Sequence, residues 1–413
     1  MAAKPGLVIV GACHAGVQLA VSAREAGWQE PVTLIGEEEA LPYQRPPLSK
    51  EFLLGKMPEE SLPLRAEAFY EGHGIDPRLG SRASAIDRAA KSLSLKDGTR
   101  LDYAKLALTT GARVRRLSLP GAEAEGVFYL RSLADSQALA AAAESAGSIA
   151  VVGGGFIGLE IAAALASLGK QVTVLEAAER LMGRAVGPEV SDFYAEQHRA
   201  RGVAVKLACG LDRIDLDAKG RVAGVVTSDG RIEADLLVIG VGVLPNGELA
   251  AETGLDCPNG IAVDHCARTA DPDIFAAGDC ALHPNAWAGG GDGGMIRLES
   301  VQNAADQARA AAANLTGGET PYESVPWFWT NQFDLKMQMV GLSGGHDRRV
   351  LRGSPEEAKF SVFYFKGERL LAIDSINRPA DHIAGRKLLT AGVSPSPDQA
   401  ADPDFALKSL MTN

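Results

Sequence analysis

Residues 148–176 read Ser148-Ile-Ala-Val-Val-Gly-Gly-Gly-Phe-Ile-Gly-Leu-Glu160, then Ile161-Ala-Ala-Ala-Leu-Ala-Ser-Leu-Gly-Lys170, then Gln171-Val-Thr-Val-Leu-Glu176. A short apolar run ends in Gly153, Gly155 and Gly158, a G-x-G-x-x-G. An Ala/Leu-rich stretch closed by Gly169 follows, and a second apolar run ends on Glu176. This is the order of a dinucleotide-binding β-α-β unit. One glycine makes the tight turn, one admits the pyrophosphate to the backbone, and one lets helix and strand pack closely. The helix N-terminus faces the phosphates, and the acid at the end of the second strand takes the ribose hydroxyls. The strand before, the helix after and the acid at its offset raise this motif above a lone glycine pattern.

The chain opens with something like a copy. Leu7-Val-Ile-Val10 leads into Gly11-Ala-Cys-His-Ala-Gly16, a helical stretch to Ala26, Gly27, and a strand Val32-Thr-Leu-Ile35 before Gly36-Glu37. Two such units imply two nucleotide sites or a duplicated fold. The first copy has Cys13 where the middle glycine belongs. Its β-carbon either holds a pyrophosphate away or is accommodated by a tilt of the ligand.

Composition bounds the rest. The 413 residues suffice for two or three domains, and 46% hydrophobic with 23% charged residues is an ordinary globular balance. A net charge of −11 with no long basic run disfavours nucleic acid. Five cysteines, odd in number and without a C-x-x-C, suggest a reducing compartment. No apolar run approaches the roughly 18 residues of a membrane span. Met1-Ala-Ala-Lys-Pro-Gly6 runs straight into a strand, leaving no room for a leader. A cytoplasmic protein is expected.

Between and after the two units the sequence predicts a helix over 134–146, a helix over 188–201, hairpin segments over 203–231, and buried strands at 235–246 and 274–280. Asp279 falls just past the last of these, where a carboxylate meets sugar or ribityl hydroxyls. Residues 287–295 read as a mobile glycine-rich loop, and 303–315 as a helix carrying Arg309. The last third changes character. Alternating residues Leu335, Met337 and Met339 and a hairpin turning at Lys366-Gly367 predict a separate antiparallel domain. A helix near 380–391 and an irregular tail over 394–404 close the chain. Tyr43-Gln-Arg-Pro-Pro-Leu-Ser-Lys50 is a proline-stiffened loop with two cations. Composition alone favours solvated surface charges there; a role beside an electron-rich ligand is the alternative. Seven scattered histidines show no metal-ligand spacing, so no metal is expected.

Taken together, Gly11 to Gly16, Arg45-Pro-Pro-Leu-Ser-Lys50, Thr110-Gly111-Ala-Arg113, Leu130-Arg131-Ser, the Gly153 to Glu176 unit, Gly242-x-x-Pro-Asn246, Gly278-Asp279-Cys-Ala, Arg297-Leu-Glu-Ser-Val301-Gln-Asn303 and Pro326-Trp-Phe-Trp329 resemble the FAD-dependent NADH:ferredoxin reductases. These are the putidaredoxin-reductase-type enzymes that feed class I cytochromes P450 and aromatic-ring dioxygenases. The resemblance covers nearly the whole chain. It implies an α/β fold with two Rossmann-like domains of glutathione-reductase type and a C-terminal α+β domain with an antiparallel sheet. Residues 1–113 and 245–318 would form a discontinuous FAD domain, 114–244 an NADH domain, and 319–413 the C-terminal interface domain.

The same resemblance assigns site residues. Gly11, Ala15 and Gly16 go to the FAD pyrophosphate and Glu37 to its ribose. Arg45 and Lys50 lie near the flavin, Ala83 and Arg131 around the adenine half and phosphates, Thr110 and Gly111 beside them. Asp279 takes the ribityl chain, and Val301 and Trp329 border the isoalloxazine. Gly153, Gly155, Phe156, Ile157, Gly158, Glu160, Glu176 and Gly242 belong to NADH. Lys50, Glu160 and Trp329 are the candidate catalytic residues. Glu160 is the expected partner of Lys50 and a neighbour of the nicotinamide; a dipole-favoured helix-start carboxylate is the plainer alternative. Glu176 should favour NADH, since an added phosphate about 4 Å from a carboxylate costs about 4 kcal/mol per charge pair; Arg180 and Arg184 could soften this. The implied acceptor is an acidic [2Fe-2S] ferredoxin docking near Arg309 and Lys336, served by a monomer. Rubredoxin or monodehydroascorbate-radical reduction, or redox sensing like apoptosis-inducing factor, are the alternatives. Disulfide reductases and peroxidases are disfavoured, because no cysteine falls in 37–50.

Overall fold

The computed structural model describes residues 4–411. The three residues before them, on which the expectation of no leader partly rests, lie outside the described residues. The chain divides into two compact units. One comprises the chain through Gln44, Leu62–Arg113 and Pro245–Phe328; the other comprises Arg45–Ser61, Val114–Leu244 and Trp329 onward. The 45–61 segment, placed by resemblance with the flavin region, belongs to the second unit.

In the first unit a parallel sheet runs in the order Ile75–Arg78, Val32–Ile35, Gly6–Val10, Arg100–Leu108 and Ile274–Ala276. Residues 7–10 are buried on both faces, which is why they read as an unbroken apolar run. Two antiparallel strands, Ser92–Leu95 and Ala83–Asp87, extend from the first half of Arg100–Leu108. Helix His14–Glu25 lies against helix Val301–Leu315. Ala15, Ala20 and Ala23 meet Ala304, Ala308 and Ala311 in one apolar cluster, so the two backbones come close.

The second unit repeats the pattern. Its parallel sheet runs Ala204–Lys206, Gln171–Leu175, Ser148–Val152, Leu236–Ile239 and Val127–Phe128. A smaller antiparallel sheet, Leu211–Leu216, Val222–Thr227 and Gly230–Ile232, fills most of the expected hairpin region. The C-terminal sheet has the order Trp327–Gln332, Leu335–Gly341, Arg369–Ile376, Lys359–Lys366, Arg348–Ser354, with helix Pro379–Ala391 packed on it. It packs against the parallel sheet of the same unit. One apolar cluster runs from Val151, Leu159 and Phe193 into Met337, Phe360 and Val362.

Two stretches expected to be irregular are built. Within 287–295 a helical turn, Ala288–Gly291, leads to strand Gly294–Ile296, which pairs with Ala281–Asn285. The glycines there take positive φ, so their abundance encodes a tight turn. In the tail, helix Pro397–Ala401 starts with a capping box between Ser396 and Gln399. The buried Arg352 guanidinium donates to the carbonyls of Ala400, Pro403 and Phe405, a long-range clamp that no local pattern announces.

Candidate active site

The two glycine turns are built bond for bond alike. In the first unit Gly11 N donates to Ile35 O at 2.8 Å and Thr109 N to Val10 O at 2.8 Å; in the second Gly153 N donates to Leu175 O at 2.8 Å and Gly240 N to Val152 O at 2.7 Å. The glycines have separate causes. A β-carbon on Gly11 would sit 2.1 Å from Thr109 O, and one on Gly153 would sit 2.3 Å from Gly240 O. On Gly16 it would lie 2.0 Å from Gly11 O, and on Gly158 2.0 Å from Gly153 O. These four are required by the protein itself. Gly155 is different: its φ is −81° and an added β-carbon meets no atom within 4 Å. No neighbouring protein atom explains a glycine there.

Both following helices, His14–Glu25 and Phe156–Ser167, lack a side-chain cap, so their first amide groups face the turn as an anion site requires. Cys13 caps the first of them in extended backbone, φ −139°. Its thiol donates to Thr109 O at 3.3 Å.

The acids at the strand ends differ. Register pairs Val10 with Ile35 and Val152 with Leu175, so Gly36 and not Glu37 is the counterpart of Glu176. The exchange is steric. A β-carbon on Gly36 would press Ala12 Cβ at 2.7 Å, whereas Glu176 stands opposite Gly154, where a β-carbon would be 3.1 Å from Glu176 Cβ. Ala12 with Gly36 and Gly154 with Glu176 are two solutions to one contact. Glu37, one residue further, is exposed and bridges Arg82 at 2.6 Å. Glu176 is oriented by backbone: Gly154 N donates to Oε2 at 2.7 Å and Ala178 N to Oε1 at 2.8 Å. Each oxygen retains a lone pair for a ribose hydroxyl. Arg180, expected to soften the charge of Glu176, is tied to its own loop. It donates to Val186 O and Gly183 O at 3.2 Å and to Ser191 Oγ at 3.1 Å. Arg184 lies 3.9 Å from the point where a Gly242 β-carbon would stand.

Thr110 and Asp279 follow the C-terminal ends of Arg100–Leu108 and Ile274–Ala276. Thr110 Oγ1 donates to Asn246 O at 2.6 Å and Asn246 Nδ2 donates back to Thr110 O at 2.9 Å, which fixes the turn at Gly111, φ +64°. Asp279 follows Gly278, whose amide donates to buried Gln307 Oε1 at 2.9 Å. Val301 begins the helix capped by Ser300, and Ala83 begins a strand, half-buried. No local pattern marks Gln307, since its partner lies across the fold.

The second unit holds the charged centre. Pro46–Ser49 forms a 3-10 turn, pinned where Ser136 Oγ donates to Leu48 O at 2.8 Å and Arg45 Nη1 to Arg131 O at 2.5 Å. This corrects the expectation of solvated charges: Lys50 is buried. Its ammonium donates to Pro46 O at 2.9 Å, Ser49 Oγ at 3.3 Å and Glu160 Oε2 at 2.6 Å. Glu160, 2% exposed, also accepts from Ser49 Oγ at 2.5 Å and Thr330 Oγ1 at 2.6 Å. Trp329, half-buried, precedes Thr330 on strand Trp327–Gln332. Ser49 and Thr330 gave no signal, because no spacing links them to Glu160. Phe156 and Ile157 open the helix that carries Glu160, and Ile157 is 44% exposed.

The cysteines are free among the described residues. Cys280 is buried, donates to Leu108 O at 3.4 Å, and burial pushes its thiol up to about 11. It is not a nucleophile at neutral pH. No group of three or more acidic, His or Cys side chains among the described residues is placed to hold a metal. No described helix is long and apolar enough to cross a membrane.

Comparison with known proteins agrees with this geometry. Residues 5–308 match the pyridine nucleotide-disulphide oxidoreductase family and residues 327–411 match the reductase C-terminal family. The chain is 47% identical over 403 residues to rhodocoxin reductase of Rhodococcus erythropolis, covering 97% of this chain and 93% of that one. It is 44% identical over 413 residues to the anthranilate 1,2-dioxygenase system ferredoxin–NAD(+) reductase component of Burkholderia cepacia, covering both fully.

The chain belongs to the pyridine nucleotide-disulphide oxidoreductase family.

Within that family it groups with the ferredoxin reductases. The crystal structure of the covalent putidaredoxin reductase–putidaredoxin complex matches with a TM-score of 0.95 at 37% identity, over 99% of this chain and 98% of that one. The chain is thus an FAD-dependent oxidoreductase that uses a pyridine nucleotide. The two cradles fit those cofactors: the space at Gly155 and the uncapped helix ends suit a pyrophosphate in each unit. The family name mentions disulphides, but Cys13 and Cys280 hydrogen-bond to carbonyls of the sheet and are not linked.

Proposed function

We propose that the protein takes hydride from NADH and passes electrons one at a time to an acidic [2Fe-2S] ferredoxin that serves a cytochrome P450 or ring-hydroxylating oxygenase. The observation that carries this is the buried Lys50–Glu160 pair, standing in a double-nucleotide fold whose cysteines are all unlinked among the described residues. Bound flavin supplies the chemistry, accepting two electrons together and releasing them singly. The chain's own residues bind and orient. Gly11, Ala15, Gly16, Glu37, Ala83, Thr110, Gly111, Arg131, Asp279 and Val301 hold FAD. Gly153, Gly155, Phe156, Ile157, Gly158 and Gly242 hold NADH, and Glu176 selects against a 2′-phosphate. Lys50 favours added negative charge on the flavin, Glu160 holds that ammonium and borders the nicotinamide, and Trp329 borders the flavin. The FAD region is 1–113 with 245–318, the NADH region 114–244, and 319–413 forms the interface domain of a cytoplasmic monomer.

Docking rests on Lys336 and Arg309. Lys336 is exposed, whereas Arg309 shares its charge with Asp306 and donates to Gln18 Oε1 at 3.3 Å. The test is a panel assay of the yellow holoprotein with NADH and several [2Fe-2S] ferredoxins, rubredoxin, a disulfide, peroxide and ascorbyl radical. Fast turnover with a ferredoxin, falling with added salt while ferricyanide reduction holds, is the expected result. Preference for rubredoxin or ascorbyl radical overturns the choice of acceptor, and no NADH oxidation with any acceptor overturns the reading.

A further inference from the structure

Glu160 Oε1 faces away from Lys50, into a row of buried polar side chains that the ion pair does not use. Thr330 and Gln332 alternate on one strand, so they share a face, and both are fully buried. Thr330 Oγ1 lies 2.6 Å from Glu160 Oε1, and Gln332 Nε2 lies 3.3 Å from Thr330 Oγ1. Gln332 Oε1 is 2.8 Å from Nε2 of His198, on helix Pro188–Ala200.

The donors run one way. A carboxylate facing an ammonium only accepts, so Thr330 gives it the hydroxyl proton. The Thr330 oxygen must then accept, so Gln332 turns its NH2 toward it and its carbonyl toward His198. His198 therefore carries its proton on Nε2. Burial lowers the imidazole to about 4, so it is neutral, and Nδ1 has no hydrogen-bond partner, as befits the bare nitrogen of that tautomer. Gln332 Nε2 also lies 4.0 Å from Met182 Sδ, and Met182 N donates to Gly154 O at 2.9 Å. The row thus reaches the back of the 153–158 turn. A core strand face needs none of this; Val and Leu would fill it without burying polar atoms.

We propose that Thr330 and Gln332 are positioning residues for hydride transfer: their donor row fixes the Glu160 carboxylate so that Oε2 stays on Lys50 and Ser49. This rests on the placement of Glu160 at the nicotinamide end. Thr330→Val keeps the shape and removes the donor; Thr330→Ser restores it. Two readouts apply to the oxidised holoprotein and its reaction with NADH. The first is the infrared carboxylate stretch isolated by subtracting Glu160→Gln from wild type. The second is the limiting rate of flavin reduction against the NADH half-saturation.

Thr330→Val should shift the carboxylate band. It should also lower the limiting rate about tenfold, the worth of one hydrogen bond to a charged group. Half-saturation should stay within about twofold, because binding groups are untouched. Thr330→Ser should recover both readouts, and Thr330→Val should cost nothing further in the Glu160→Gln background. Gln332→Met, one link removed, should lower the rate about threefold, and it serves if Thr330→Val does not fold. An unmoved carboxylate band, or an equal loss in the Glu160→Gln background, overturns the proposal. Wild-type reduction at an unchanged rate in Glu160→Gln alone overturns the underlying placement of Glu160 instead, and the infrared result then still judges the row.

Discussion

Lys50 Nζ lies 2.6 Å from Glu160 Oε2 across 110 positions of sequence, and neither side chain is more than 10% exposed. Every hydrogen of the ammonium has an acceptor: Pro46 O, Ser49 Oγ and Glu160. Such a pair is costly to break from one side. Lys50→Met leaves a buried carboxylate without its counter-charge and should destabilise the second unit by roughly 3–5 kcal/mol. Lys50→Met with Glu160→Leu should recover most of that stability but not flavin reduction. Urea unfolding of both variants beside stopped-flow reduction by NADH checks this; a double variant as unstable as the single one would show that the pair is not what holds the loop.

Glycines in one motif should fail differently. Gly158→Ala places a β-carbon 2.0 Å from Gly153 O, a backbone atom that cannot yield, so the thermal midpoint should fall by many degrees. Gly155→Ala meets only open space, so the midpoint should stay while NADH affinity drops. Calorimetric melting paired with NADH titration separates the two. Equal melting losses would mean that Gly155 is structural.

Glu176 should set cofactor choice. Its oxygens are held by Gly154 N and Ala178 N, so it cannot swing clear of a 2′-phosphate without losing both bonds. Glu176→Ser should narrow the NADH over NADPH ratio of kcat/KM by about tenfold or more, since it removes a repulsion of a few kcal/mol. An unchanged ratio would locate selectivity elsewhere.

Acid should weaken the fold through histidines. Burial lowers His198, His283 and His382 to about 4 from 6.5. Between those values the unfolded chain binds more protons, so stability falls as pH falls. Asp374 opposes them. Burial raises it to about 7 from 3.8, so there the folded state binds more protons and gains stability on acidification. Three groups outweigh one, and urea midpoints should decline from pH 6.5 to 4.5. Asp374→Asn removes the opposing group and should steepen the decline, by at most about 1.4 kcal/mol per pH unit. A shallower decline in Asp374→Asn would reverse the assigned direction.

Much of this protein is settled locally. The runs 7–10 and 148–152, the turns at Gly11 and Gly153, and the helices beginning at His14 and Phe156 follow from short-range periodicity and backbone constraint. Glycine is obligatory at Gly11, Gly16, Gly153 and Gly158 because backbone carbonyls crowd each position, a condition the motif itself creates. Both nucleotide cradles were therefore legible, whereas the pairing of Lys50 with Glu160 was expected only from the family resemblance. What spacing does not encode is how distant segments meet. Ser49 and Thr330 reach Glu160 from 111 and 170 positions away, and Arg352 closes the tail from 48 positions off. The exchange of Ala12 with Gly36 for Gly154 with Glu176 shows only when the strands are in register. Burial decides the rest: a lysine after two prolines reads as a surface cation until the second unit's packing removes it from water, and only then must each of its hydrogens find a partner.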